Sequence, residues 1–412
     1  MKPTDDCLYA NVWTKGPSPD GKKKPVMLWV FGGGFSLGDA SMYDMANFVE
    51  TQDVVAASFN YRTNIFGFPG APDMPDYNVG LLDQRMGVEW VRDNIEAFGG
   101  DPDRIMLFGE SAGGSSVDYY AYAWEKDPIV NAFAAQSGTV QMSGPFAPAD
   151  DRTEAWFQVS SKLGCGGREA GGPATVKCMQ GKTPSQVLEA IPTFAGIQAI
   201  VGSFGPTYDG KLVTRDFDKR ALAGDFIKRP YLIGSNQNES QLFVQAFGPV
   251  APSASRGVSD GFNCGAAKAA YARSKNNVPV WRYHYSGTAR GQVNGSTHAS
   301  DVLALFFTDG KAGVGKTFQD AWGAFARDPE NGLKELGWPM YDPKGDTLVR
   351  IANDGSEGVD FVKADMYDYD CSTLFAGYMT GAEKREEHSQ SGVARKVSRA
   401  ARREYKRSSF VA

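Results

Sequence analysis

Apolar and polar positions along the chain fall into blocks that switch between two periods. Residues 25–31 (PVMLWVF) and 54–59 (VVAASF) are continuous apolar runs. Runs this short predict strands buried on both faces, as in a parallel sheet. Between them, residues 40–50 are compatible with a helix. From 80 to 98 the period lengthens, and Leu82, Met86, Trp90, Val91, Ile95 and Phe98 share one broad helical face. Gly99-Gly100-Asp101-Pro102 then stops the helix, because glycine tolerates the left-handed turn and proline cannot continue it. Residues 104–108 (RIMLF) predict a short strand and 111–122 a further helix. Strands alternating with helices predict βαβ units and an α/β fold with a parallel sheet.

The second half is less regular. Residues 229–235 (RPYLIGS) and 278–285 (VPVWRYHY) read as strands, and 318–326 as a helix ended by Asp328-Pro329. The last convincing globular segment ends near Gly377. The expected organisation is one α/β domain over residues 1–380 and a basic tail, a solvated helix or disordered, over 381–412.

Charge sharpens that boundary. The chain carries 43 Lys and Arg against 48 Asp and Glu, a net −5. The tail alone holds nine basic and four acidic residues, so the body stands near −10. An acidic body does not suit nucleic acid, whose partners present basic surfaces. No apolar run approaches the ~18 residues of a membrane span. The opening residues lack the apolar stretch of a signal peptide. The cysteines, Cys7, Cys165, Cys178, Cys264 and Cys371, include no C-x-x-C pair and do not read as a zinc site. Their odd number leaves at least one without an internal partner.

Candidate chemistry centres on Gly109-Glu110-Ser111-Ala112-Gly113, a G-x-S-x-G between a predicted strand and a predicted helix. A serine at so sharp a turn stands above the sheet at a helix N-terminus, and its small neighbours let the backbone close. Trp29-Val30-Phe31-Gly32-Gly33-Gly34 ends a buried strand with three glycines. The amides of Gly33 and Gly34, with that of Ala112, suit an oxyanion hole. A serine nucleophile needs a base and an acid. His298 lies in a polar loop, His284 in an alternating strand where a packed or edge role fits, and His388 in the charged tail. Glu239 just past a strand is the favoured acid, and Asp209 in a turn is its rival. Glu110 stands either to tune the site electrostatically or to make a structural hydrogen bond.

These motifs, with residues 6–13 (DCLYANVW), 60–62 (NYR), 78–84 (NVGLLDQ), 98–102 (FGGDP), 136–138 (QSG), 235–240 (SNQNES) and 297–301 (THASD), resemble those of the type-B carboxylesterases of the cholinesterase/lipase family, most of all its fungal members. The resemblance covers roughly residues 5–377. It implies an α/β-hydrolase fold, a mostly parallel central sheet with helices on both faces. It implies a serine esterase with Ser111 as nucleophile, His298 as base, Glu239 as acid and Gly33, Gly34 and Ala112 as oxyanion donors, working on a small-molecule or lipid ester through an acyl-enzyme with no metal or cofactor. It further implies disulfides Cys165–Cys178 and Cys264–Cys371, with Cys7 left over. That points to an oxidising, secreted setting, against the absence of a signal sequence. Asn294-Gly295-Ser296 is a glycosylation sequon for a secreted chain.

The chain also departs from the family pattern. Only 25 positions separate Glu239 from Cys264, so part of the cover over the acyl pocket is expected to be missing. Phe31, Ser240 and Ala299 replace residues usual in the family. Two other readings stand beside this one: a non-catalytic cholinesterase-like binding protein, since the family has members that lost the serine, against which the presence of Ser111, Glu239 and His298 argues, and a truncated, inactive family member.

Overall fold

The computed structural model describes residues 6–18, 20–142, 147–193, 202–248, 252–287, 295–368 and 371. The strands are β1 (Ala10–Trp13), β2 (Lys24–Val30), β3 (Val55–Phe59), β4 (Gly100–Glu110), β5 (Ala132–Gln136), β6 (Tyr231–Asn236), β7 (Val280–Tyr285), β8 (Leu348–Ile351) and β9 (Val359–Val362). They form a nine-stranded sheet in the order β1-β3-β2-β4-β5-β6-β7-β8-β9. Among the described residues only the edge pairs β1–β3 and β8–β9 are antiparallel. The remaining pairs are parallel, so the C-terminal ends of β2, β4 and β6 emerge on one side of the sheet. Ligand sites of open parallel sheets lie there.

The long apolar runs become β2 and β3, and every residue of both is buried. Interior strands are covered on both faces, which alternation along β7 makes visible. Trp281, Tyr283 and Tyr285 pack against Phe318, Trp322 and Phe325 of the helix Gly313–Arg327. Arg282 and His284 point the other way, toward Asn263 of the helix Pro252–Lys275 and toward Asp368 and Tyr367. A satellite cluster built on Trp156, Phe157 and Val159 of the helix Thr153–Lys162 packs beside the main core. The Cys165–Cys178 disulfide clips it. A second disulfide joins Cys264 to Cys371, and half-buried Cys7 belongs to neither.

The helix expected over 80–98 runs Val79–Asn94 and tightens into a 3-10 turn, Ile95–Phe98, before Gly99 at φ +85°. Its buried face is only partly the expected one, which Val91 and Ile95 keep. Leu81, Gln84, Arg85, Val88, Val91 and Ile95 turn inward, whereas Met86 and Trp90 are exposed. Polar side chains go inside because they find partners there. Asp83 pairs with Arg62, Gln84 Nε2 donates to Ser116 Oγ, and Arg85 donates to Tyr120 and to the Asp127 carbonyl. Buried polar groups so satisfied avoid the desolvation penalty. β4 is likewise longer than the expected 104–108 strand, starting at Gly100 with a register shift against β2. The helix expected over 40–50 divides into a 3-10 turn, Ala40–Met42, and a helix, Ala46–Gln52.

Among the described residues no helix is long and apolar enough to cross a membrane. Residues 381–412, His388 and Asn294 of the sequon lie outside the described residues.

Candidate active site

The turn after β4 has the geometry that its glycines foretell. Ser111 sits at φ +57°, ψ −121°, between β4 and the helix Ala112–Ala123. A non-glycine residue in that region stores on the order of 1–3 kcal/mol, which the surroundings must hold. The hold is visible. The Ser111 amide donates to the Gln136 carbonyl at 2.8 Å, and the Ser115 amide donates to the Ser111 carbonyl at 2.9 Å. Gly113 permits the crossing of chain segments, since a Cβ there would lie 2.0 Å from the Val30 carbonyl oxygen.

The glycine run after β2 passes against this turn. A Cβ on Gly32 would lie 3.0 Å from Ser111 Cβ and 2.9 Å from Glu110 Oε2. Gly33 and Gly34 have φ of +113° and +62°, and the Gly33 carbonyl accepts from the Ser36 and Leu37 amides. Turning its carbonyl into the loop's own bonds makes Gly33 part of a fixed turn rather than a floppy one. Ala112 is buried at the start of the helix.

Glu239 follows β6. It opens the helix Glu239–Phe247 rather than lying in a loop, and it is fully buried. Its Oε1 accepts from Ser137 Oγ and from the Asn236 amide, both at 2.6 Å. Its Oε2 lies 2.5 Å from His298 Nδ1. His298 precedes a left-handed residue, Ala299 at φ +64°, which turns the chain into the helix Ser300–Phe306. The rival acid, Asp209, does something else. Its Oδ1 accepts the amides of Lys211, Leu212 and Val213, and its Oδ2 accepts from Asn78. It is a turn aspartate.

The other ring nitrogen of His298 faces Glu110. Nε2 and Glu110 Oε1 are 3.1 Å apart, an ion-pair distance without hydrogen-bond alignment. Burial alone would lower the His298 pKa. The carboxylates of Glu110, Glu239 and Asp301 outweigh it and raise the ring to about 9. Glu110 is driven upward by burial, against the pull of His298, to about 8. The two shifts concern two protons: burial favours keeping one on the Glu110 carboxyl, and the surrounding carboxylates favour keeping one on the His298 ring.

Sequence reading missed the aromatic and polar shell of this site. Phe243 and Phe262 stack on each other, and their ring centroids lie 4.9 and 4.6 Å from that of His298. With Met142 and Val258 they form a small buried cluster. Phe243 and Phe262, both from the short stretch after Glu239, thus cover the histidine. Aromatic residues near a predicted helix after Glu239 were the available signal. Ser137, Asn236 and Asp301 carried only their places in recurrent motifs.

The sequence profile of the Carboxylesterase family matches residues 1–260. Over 402 residues the chain is 33% identical to secreted lipase 5 of Gibberella zeae, spanning 85% of this chain and 73% of that protein. Over 389 residues it is 33% identical to a chlorogenic acid esterase of Aspergillus niger, spanning 85% and 74%. A shorter match, 33% over 247 residues, reaches the cholinesterase of Mus musculus, spanning 58% and 40%.

Proposed function

The chain belongs to the carboxylesterase family and is a carboxylic ester hydrolase, and from that premise we propose that it works through Ser111, His298 and Glu239 with an acyl-enzyme intermediate. His298 Nε2 takes the Ser111 proton. The oxygen attacks the ester carbonyl, and the resulting oxyanion rests on the amides of Gly33, Gly34 and Ala112. The alcohol leaves with the proton from His298, and water repeats the sequence to release the acid. Glu239 holds the ring's tautomer and stabilises the imidazolium. The substrate is a small-molecule or lipid ester, in keeping with the names of the fungal relatives.

The observation that carries this reading is the buried Glu239–His298 contact of 2.5 Å at the same edge of the sheet as the strained Ser111 turn. Ser111→Ala tests it. Hydrolysis of p-nitrophenyl esters across acyl lengths should fall on the order of 10⁴-fold or more with the melting temperature nearly unchanged. Near-normal turnover removes Ser111 from the mechanism.

A further inference from the structure

Asp301 is fully buried three residues after His298, and the reaction as derived above does not use it. Its surroundings are not those of a helix residue that happens to be acidic. Oδ2 accepts from Tyr283 Oη at 2.6 Å and from Gln136 Nε2 at 3.0 Å. Oδ1 accepts from Asn236 Nδ2 at 3.1 Å and from the Val302 amide at 3.0 Å. One carboxylate therefore gathers side chains from the ends of β5 and β6 and from β7. Among the described residues it meets four donors and no acceptor, which favours the ionised form against the upward push of burial.

The chain of contacts continues. Asn236 Nδ2 also reaches Ser137 Oγ at 3.2 Å. Ser137 Oγ and the Asn236 amide are the two donors that occupy Glu239 Oε1. With Oε1 so filled, Oε2 is the oxygen left to face His298 Nδ1. We infer that Asp301 is a positioning residue for ester hydrolysis: it orients Asn236, and through it Ser137, so that Glu239 presents a single oxygen to His298. Asp301 thus touches neither substrate nor Ser111 in this role. The inference rests on the proposed triad.

Its charge adds a second readout. The ionisable groups facing His298 are Glu110 at the end of β4, Glu239 after β6 and Asp301 on its own helix, with the Tyr283 phenol of β7 behind Asp301. The aromatic faces of Phe243 and Phe262 carry no charge. Removing one of three carboxylates makes the imidazolium easier to deprotonate. A residue that merely packs would leave that step alone.

Asp301→Asn tests both parts. An amide cannot accept from Tyr283, Gln136 and Asn236 together. The expected result on p-nitrophenyl acetate or butyrate is a kcat about 10²-fold lower, as for other small displacements of reacting groups. KM should change less than about threefold, because no substrate contact is lost. The acid limb of kcat/KM should move to lower pH. A kcat within threefold of the parent and an unmoved limb overturn the inference, as does a loss that only mirrors the unfolded fraction by circular dichroism. Asn236→Ala covers the case in which Asp301→Asn does not fold. It leaves the Asp301 charge in place and breaks only the link, so kcat should fall about tenfold with the acid limb unmoved. Unchanged kcat overturns the inference by itself. If Ser111→Ala kept its activity the triad would fall first; normal Asp301→Asn beside a dead Ser111→Ala removes only the role of Asp301.

Discussion

His284 and His298 are both buried within the same fold, yet their surroundings drive them to opposite states. His298 is ringed by Glu110, Glu239 and Asp301 and is raised to about 9. His284, in β7, has its ring 3.7 Å from that of Tyr367 and Nδ1 3.5 Å from Ser235 Oγ. Burial, with Arg282 and Arg350 nearby, lowers it to about 3. Desolvation pushes both rings toward neutrality. What separates them is the sign of the charges that the fold brings alongside. A buried histidine by itself carries no functional message; a buried histidine among carboxylates does.

The largest contrast should appear on substitution. His298→Ala is expected to reduce ester hydrolysis on the order of 10⁴-fold, whereas His284→Phe should leave turnover within a few fold. Steady-state kinetics on one p-nitrophenyl ester compares them directly, and equal losses would erase the distinction. A smaller effect sharpens the electrostatic half. Because carboxylates hold the proton on His298, the acid limb of kcat/KM should lie above the ordinary histidine range. Glu110→Gln removes one carboxylate, so the limb should move down toward about 6.5, raising activity at pH 6 relative to pH 9. A limb that stays in place assigns it to another group. The smallest effect concerns stability. The native state keeps His284 neutral down to about 3, while the unfolded chain takes up a proton from about 6.5 downward. The unfolded state then binds more protons, so His284 makes stability decline as pH falls through that window. His284→Phe should flatten the decline in melting temperature between pH 7 and 4 by a few degrees. A parallel decline in both proteins refutes the point.

The sequence announced one of these histidines better than the other. Ser111, Glu239 and His298 stand in motifs whose residue types have a chemical reason, and the strands that precede Ser111 and Glu239 contain apolar runs. The polar shell was out of reach because its members are far apart in the chain: Gln136, Asn236 and Tyr283 meet at Asp301 only through strand order. The fold followed the same rule. β2 was legible from continuous large apolar residues and β3 from the run VVAASF, but β5, AFAAQ, is Ala-rich and ends on a glutamine, and β8 and β9 have four residues each. The 24-residue helix Pro252–Lys275 was missed since much of its buried face is alanine: Ala266, Ala267, Ala269, Ala270 and Ala272 supply no large apolar period. The inward face of Val79–Asn94 was partly misassigned because it includes Gln84 and Arg85, whose partners Ser116 and Tyr120 lie more than 30 residues away.

The Cys264–Cys371 bond spans 107 positions and closes the chain into a ring. His298 and Asp301 are inside that ring; Ser111 and Glu239 are outside it. Cutting one peptide bond anywhere between the two cysteines would open a line, not release a piece. Both halves of a nicked molecule would travel together on a non-reducing gel and part only when thiol is added. For a chain whose proposed base and nucleophile come from opposite sides of that junction, the covalent loop keeps the two in one molecule after a single protease cut, and it gives the chain an electrophoretic signature by which such cuts can be counted.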